Sequence, residues 1–138
     1  MYKLKNLLAL FLVFSFIPLT LLAQFTLSIE INDLKNDNGQ ILLEFCNEQG
    51  EKQLGIIQPP LNNQCIMIIP DLKAGKYTFQ YFHDENKNEK LDTNWLGIPK
   101  EGFGFSNNAE ERFSAPSIEK RIFEIKGNMT QKCSPKYY

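Results

Sequence analysis

His83 to Asp92 reads HDENKNEKLD. Numbered from Asp84, side-chain oxygens fall at positions 1, 3, 5 and 9: Asp84, Asn86, Asn88 and Asp92. Calcium takes six to eight oxygen ligands, and alternate side chains of a curled loop can turn toward one centre. Position 7 is Lys90, which has only its backbone carbonyl to offer. Position 6 is Glu89 where an EF-hand loop needs Gly, and position 12 is Trp95 where it needs Glu. An EF-hand is therefore excluded. An open Asp/Asn loop, closed by Asp92 or by the more distant Glu101, is the metal expectation. Two loop carboxylates imply weak binding, with Kd on the order of 10⁻⁴–10⁻³ M. The competing reading is a polar hairpin tip whose Asp and Asn side chains bond their own backbone.

Other side chains are of types that can do chemistry. His83 is the lone histidine and alternates with Tyr77, Phe79 and Tyr81, so it should point with that apolar row as a hydrogen-bonded packing residue. It has no His or Cys neighbours with which to ligate a transition metal. Asp84 with Glu101 could be drawn as a glycosidase pair, and Ser106 with His83 as part of a triad. The segment GFGFSNN lacks the G-x-S-x-G elbow, and no nucleophile–base signature accompanies it. The expectation is a protein that is not an enzyme. Trp95, Phe103 and Phe105 suggest a different class, a binding module for a glycan or peptide, if their rings are exposed. If instead the loop folds back, they cover the core.

These residues need a scaffold, and the chain patterns as strands. FTLSIEINDL alternates, with Phe25, Leu27, Ile29 and Ile31 on one face. QILLEFCN follows a KNDNG turn, with Ile41, Leu43 and Phe45 inward, so the two read as an antiparallel hairpin. EQGEKQLGIIQPPLNNQ reads as a long connection because of its glycines and Pro59-Pro60. CIMIIPDL and YTFQYFHD are the third and fourth strands. EKRIFEIKG supplies a late strand with Phe123 and Ile125 inward, and NMTQKCSPKYY can supply another. No helical period of useful length appears. The fold class expected is all-β, a single antiparallel β-sandwich spanning residues 24–138.

Residues 1–23 read differently. Lys3 and Lys5 precede an uncharged apolar run from Leu7 to Ala23, the pattern of a secretory signal peptide cleaved after Ala23. The expected location is periplasmic or extracellular, with no transmembrane segment after cleavage. Losing Lys3 and Lys5 lowers Lys+Arg from 15 to 13 against 16 Asp+Glu, taking the formal charge from −1 to −3. With no basic cluster, nucleic acid is not an expected partner. An oxidising compartment permits disulfides, and Cys46 and Cys65 lie on consecutive strand candidates, so they form one candidate pair. Cys133 could meet either. Asn128-Met129-Thr130 is a formal glycosylation sequon.

The stretch from Asp71 to Ala109 resembles a bacterial secreted-protein family catalogued as domain of unknown function 2141. The matching positions are Leu72, Gly75, Tyr77, His83, Asp84, Asn86, Asn88, Leu91, Asp92, Gly97, Pro99, Glu101, Gly102, Gly104, Phe105 and Ser106. Glu89 departs from the pattern, which often has Gly there. The resemblance implies a β-sandwich of transthyretin-like or carboxypeptidase-regulatory-like type, and no activity.

Overall fold

The computed structural model describes residues 22–138; residues 1–21, on which the signal-peptide expectation falls, lie outside it. Among the described residues, eight strands form two facing sheets. In chain order they are β1 (Gln24–Ile31), β2 (Gln40–Asn47), β3 (Lys52–Gln58), β4 (Cys65–Lys73), β5 (Gly75–Asp84), β6 (Phe103–Phe105), β7 (Phe123–Ile125) and β8 (Met129–Cys133). The smaller sheet has the order β4-β1-β8 and the larger β3-β2-β5-β6, with β7 also paired to β5 beyond β6's end. All pairs are antiparallel except β1 with β8, which is parallel. One helical turn, α1 (Ile118–Arg121), precedes β7. Among the described residues no helix is long and apolar enough to cross a membrane.

The alternation read from the chain is the interior of the sandwich. Leu27, Ile29 and Ile31 face Ile41, Leu43 and Phe45, with Met67, Ile69, Phe79, Phe123 and Ile125 completing the core. Each fully buried side chain of this kind contributes roughly 1.5–3 kcal/mol relative to exposure. β7 and β8 fall where the late strands were expected.

β1 and β2 are not a hairpin. They sit in different sheets, and the connection between them crosses the end of the sandwich. Leu34 is buried on the way, and the Asp37 carboxylate accepts from the backbone of Asn62 and Asn63, tying the crossing to the β3–β4 corner. Gly39, at φ 71°, serves a close approach instead of a two-residue turn: a Cβ there would overlap the Asp84 carbonyl.

The long connection also contains a strand that patterning missed. Asn47 Oδ1 accepts from Gln49 N and Glu51 N to make the turn, and β3 then pairs along β2. Gly55 and the two prolines hid it; the edge position tolerates Gly55, and Pro59 and Pro60 follow the strand's end.

Cys46 and Cys65 do not pair. β2 and β4 belong to different sheets, and Cys46 shares the outward parity of Leu42 and Glu44. Cys65 and Cys133 both register with Ile31, from opposite sides. Two strand spacings separate them, roughly 9.6 Å, beyond the roughly 7 Å a bridge can span. All three thiols are free and buried.

Candidate functional site

β5 ends by delivering His83 and Asp84 into the interior, both fully buried. His83 Nε2 lies 2.6 Å from the Asn38 carbonyl, which can only accept, so the proton sits on Nε2. Nδ1 then accepts from the Tyr137 hydroxyl at 3.0 Å, and that hydroxyl accepts from Lys35 N. His83 thus pins the carboxyl-terminal tail and the β1–β2 crossing to one strand end, the packing role expected of it.

Asp84 organises the loop that follows. Its Oδ1 accepts from Asn88 N at 3.0 Å, and its Oδ2 accepts from Glu89 N at 2.9 Å and Gln40 Nε2 at 3.0 Å. Asn86 Oδ1 also accepts from Asn88 N, and Asn88 Oδ1 accepts from Lys90 N. The side-chain amides of Asn86 and Asn88 donate to the two oxygens of Asp92, at 2.6 and 3.0 Å. The four oxygen-bearing side chains of the 1-3-5-9 spacing therefore gather on one side of the loop. Lys87 and Glu89 take left-handed backbone, φ 60° and 61°.

Glu101 stands across the loop's mouth, 5% exposed. Its Oε1 accepts from Glu85 N and its Oε2 from Asp92 N, so one carboxylate clasps both ends. Among the described residues no three His, Cys, Asp or Glu side chains gather as metal ligands. The loop brings two carboxylates, Asp84 and Asp92, to two amides.

The triad drawn from Ser106 and His83 does not assemble. Ser106 Oγ accepts from Phe79 N and donates to the Arg121 carbonyl at 2.6 Å. His83 lies four residues further along β5 than Phe79, roughly 13 Å at strand rise. Asp84 and Glu101 are both occupied by backbone donors.

The segment from Trp95 to Phe105 splits into two parts. Asn94 Oδ1 accepts from Leu96 N and Ile98 N, and Gly97 at φ 79° closes a tight turn that holds Trp95 90% exposed at its tip. Phe103 and Phe105 lie on β6 instead, half-buried, with Gly102 and Gly104 alternating between them. The alternation has a steric cause. A Cβ on Gly102 would overlap the Tyr137 ring, and one on Gly104 the Tyr81 phenol. The glycines therefore admit two tyrosine rings on the inner side while the phenylalanines project outward. Phe103 stacks on Tyr138 at 6.0 Å and meets Phe105 edge-on at 6.2 Å.

On the outer face of the larger sheet, cross-strand registers align two rows. Ile57, Leu42, Phe82 and Phe103 are successive neighbours across β3, β2, β5 and β6. Beside them run Gly55, Glu44, Gln80 and Phe105. Glu44 accepts from Lys52 Nζ at 3.2 Å and Gln80 Nε2 at 2.9 Å. The Gln80 bond, then Lys52, hold the Glu44 carboxyl below its ordinary range. Gln80 Oε1 accepts from Arg121 at 3.4 Å, whose guanidinium lies 5.3 Å from the Phe105 ring centre. The two rows line a groove of about 640 Å³, with Leu91 of the Asp84 loop at its rim. Trp95 lies outside it. Leu42, Phe82, Glu44 and Gln80 were legible as the outward positions of β2 and β5, but only their alignment with β6 makes them a surface.

No curated protein and no solved structure matches this chain. A family model described as an uncharacterized protein conserved in bacteria, domain of unknown function 2141, matches residues 29–132. That match runs from the middle of β1 almost to the end of β8 and takes in the Asp84 loop, Glu101 and the glycine–phenylalanine strand, and the chain belongs to that family.

Proposed function

We propose that this chain is an exported β-sandwich module that binds a glycan or peptide through the outer face of its larger sheet. The observation that carries the reading is the half-open row of Ile57, Leu42, Phe82 and Phe103 beside the polar pair Glu44 and Gln80. Ligand sites combine apolar lining with a few convergent polar groups in volumes of roughly 300–1,000 Å³, and the groove falls in that range. Trp95 offers a second, separate contact at its turn. Export to the periplasm or beyond is supported by the basic and apolar start of the chain. β1 begins at Gln24, so cleavage after Ala23 would remove no residue of either sheet. The test is binding of the exported protein to glycan and peptide arrays, with Phe103→Ala and Phe105→Ala alongside. Loss of signal in both variants supports the reading; no binding of the wild type to either array ends it.

A second reading concerns the loop, which we propose takes structural calcium. It is favoured by the gathering of Asp84, Asn86, Asn88 and Asp92 and by left-handed backbone at Glu89, the position where an EF-hand loop places Gly. Turning over the Asn86 and Asn88 amides would aim their oxygens to the side of Asp92, at the cost of the bonds those oxygens accept from Asn88 N and Lys90 N. A melting curve with calcium and then chelator decides it.

A further inference from the structure

Unpaired N–H and C=O groups on a strand edge are a template for another strand, and proteins close most such edges. β6 is closed by the tail, because Phe103 and Lys136 exchange both backbone bonds. β8 is closed by Asn108, whose side chain accepts from Ser134 N and donates to the Lys132 carbonyl. β4 is closed by the Gln58 amide on the Ile66 carbonyl, by Pro70, which has no N–H, and by a bulge where Asp71 turns left-handed. β7 is three residues long and carries Glu124.

β3 is open. Phe79 N–H and C=O both meet Ser106 Oγ, so odd residues of β5 turn their main chain toward β6 and even ones toward β2. Phe82 and Gln80 are then the hydrogen-bonded partners of Leu42 and Glu44, which leaves Leu43 and Phe45 to bond Ile56 and Leu54. The N–H and C=O groups of Gly55 and Ile57 therefore point away from β2, and they have no partner among the described residues.

We infer that this edge pairs, antiparallel, with β3 of a second copy of the chain. The surface around the edge selects that occupant. No charged residue occurs from Gln53 to Pro70, through β3, the corner and most of β4. Leu54, Ile57, Leu61, Ile66 and Ile68 of this segment are 41–72% exposed. Neighbouring carboxylates are already engaged: Glu44 with Lys52, Glu30 with Lys132, and Asp37 with the Asn62 and Asn63 N–H groups. β3 and β4 meet on one side of the sandwich, so the uncharged surface spans both sheets. A lone extended peptide would cover β3 and leave Ile66 and Ile68 in water. A second copy presents the same uncharged side to both sheets, and identical antiparallel strands close about a two-fold axis.

One register uses every open group. With Ile56 opposite Ile56 of the second copy, Gly55 and Ile57 of each chain pair with Ile57 and Gly55 of the other. The bulge at Gln53 and Pro59, which has no N–H, bound the ladder. This register also runs the Ile57 row of one groove into the Gly55 row of the other. The dimer needs no ligand and does not rest on the binding reading. A contact one strand long is smaller than the roughly 800 Å² per partner of a standard interface, so dissociation in the micromolar range is expected.

The experiment is sedimentation equilibrium of the exported protein at roughly 1–300 μM, with hydrogen exchange of the Gly55 and Ile57 amides. The samples are wild type, Ile57→Lys, Ile68→Lys and, as control, Leu96→Lys at the Trp95 turn. All three positions are exposed, and unchanged circular dichroism shows that the fold is kept. The expected result is a wild-type dimer whose two amides gain protection with concentration. Association should weaken about tenfold or more in Ile57→Lys and Ile68→Lys, since an edge lysine blocks pairing, and stay unchanged in Leu96→Lys. A wild type that remains monomeric throughout overturns the inference. Protection of the same amides in that monomer by added QLGIIQ peptide would give the edge to a peptide instead. A dimer that neither Ile57→Lys nor Ile68→Lys weakens lies on another face and equally overturns it.

Discussion

The Tyr81 phenol occupies the space that a Cβ of Gly104 would fill, one strand away on β6. The hydroxyl is buried and has no hydrogen-bond partner among the described residues, and burial pushes its pKa upward. Gly104→Ala should force the ring aside and destabilise the fold by about 1–3 kcal/mol, the cost of overpacking. Tyr81→Phe removes an unsatisfied buried hydroxyl and should leave stability equal or higher by about 1 kcal/mol. Urea denaturation of both variants reads the two effects; a Tyr81→Phe protein clearly less stable than wild type would mean that the hydroxyl has a partner.

Asp84 accepts three hydrogen bonds from the protein itself, so its removal tests the loop. Asp84→Ala orphans the Glu89 N–H and the Gln40 amide, leaves Asn88 N with Asn86 Oδ1 alone, and should cost about 2–4 kcal/mol even in chelator. It is therefore a poor probe of calcium. Asp92→Asn, at a half-buried position, is the better one. If the loop binds calcium, about ten times Kd should raise wild-type stability by roughly 1.4 kcal/mol, and Asp92→Asn should lose most of that gain. Identical wild-type melts in millimolar calcium and in chelator leave a polar hairpin tip.

Glu89 holds a left-handed backbone that glycine adopts more readily. Glu89→Gly should raise the melting temperature in chelator, by a stabilisation of up to about 1 kcal/mol, the smaller of the usual strain costs. A drop in melting temperature would show that the Glu89 side chain has a role its exposure conceals.

Burial pushes the Cys65 and Cys133 thiols to about 11 from an ordinary 9.0. Both folded values lie above the unfolded ones, so folding favours the protonated thiols. Their contribution is complete below pH 9 and is lost as pH rises from 9 toward 11. At pH 8 the native protein should resist alkylation and the denatured protein should take up three labels. A single label after denaturation without reductant would reveal a disulfide, since one bridge consumes two of the three thiols.

Trp95 is 90% exposed on a turn closed by Asn94 and Gly97. Trp95→Ala should leave stability within about 0.5 kcal/mol of wild type, as for surface substitutions generally. A larger loss, measured by urea denaturation, would place the indole in contact with the fold.

Much of this protein is decided locally. The period-2 alternation of β1, β2 and β5 settles which side chains enter the core, because successive residues of a strand point to opposite faces. It settles His83 as an interior residue by the same parity. The 1-3-5-9 spacing determines that the Asp84 side chains can gather, since their bonds run to backbone groups two to five residues away. Two short-range signals misled, because the same residue types serve long-range purposes. Gly39 resembles a hairpin glycine, yet it is required by contact with Asp84, 45 residues on, and β1 and β2 part into separate sheets. Gly55 resembles a break, yet β3 tolerates it as an edge. Partner choice between strands depends on how both sheets bury their inner faces together, a sum over the whole core that no local window contains. That is why the cysteine separation, the clasp of Glu101 on both ends of its loop, and the alignment of Leu42, Phe82 and Phe103 into one face are properties of the tertiary structure alone.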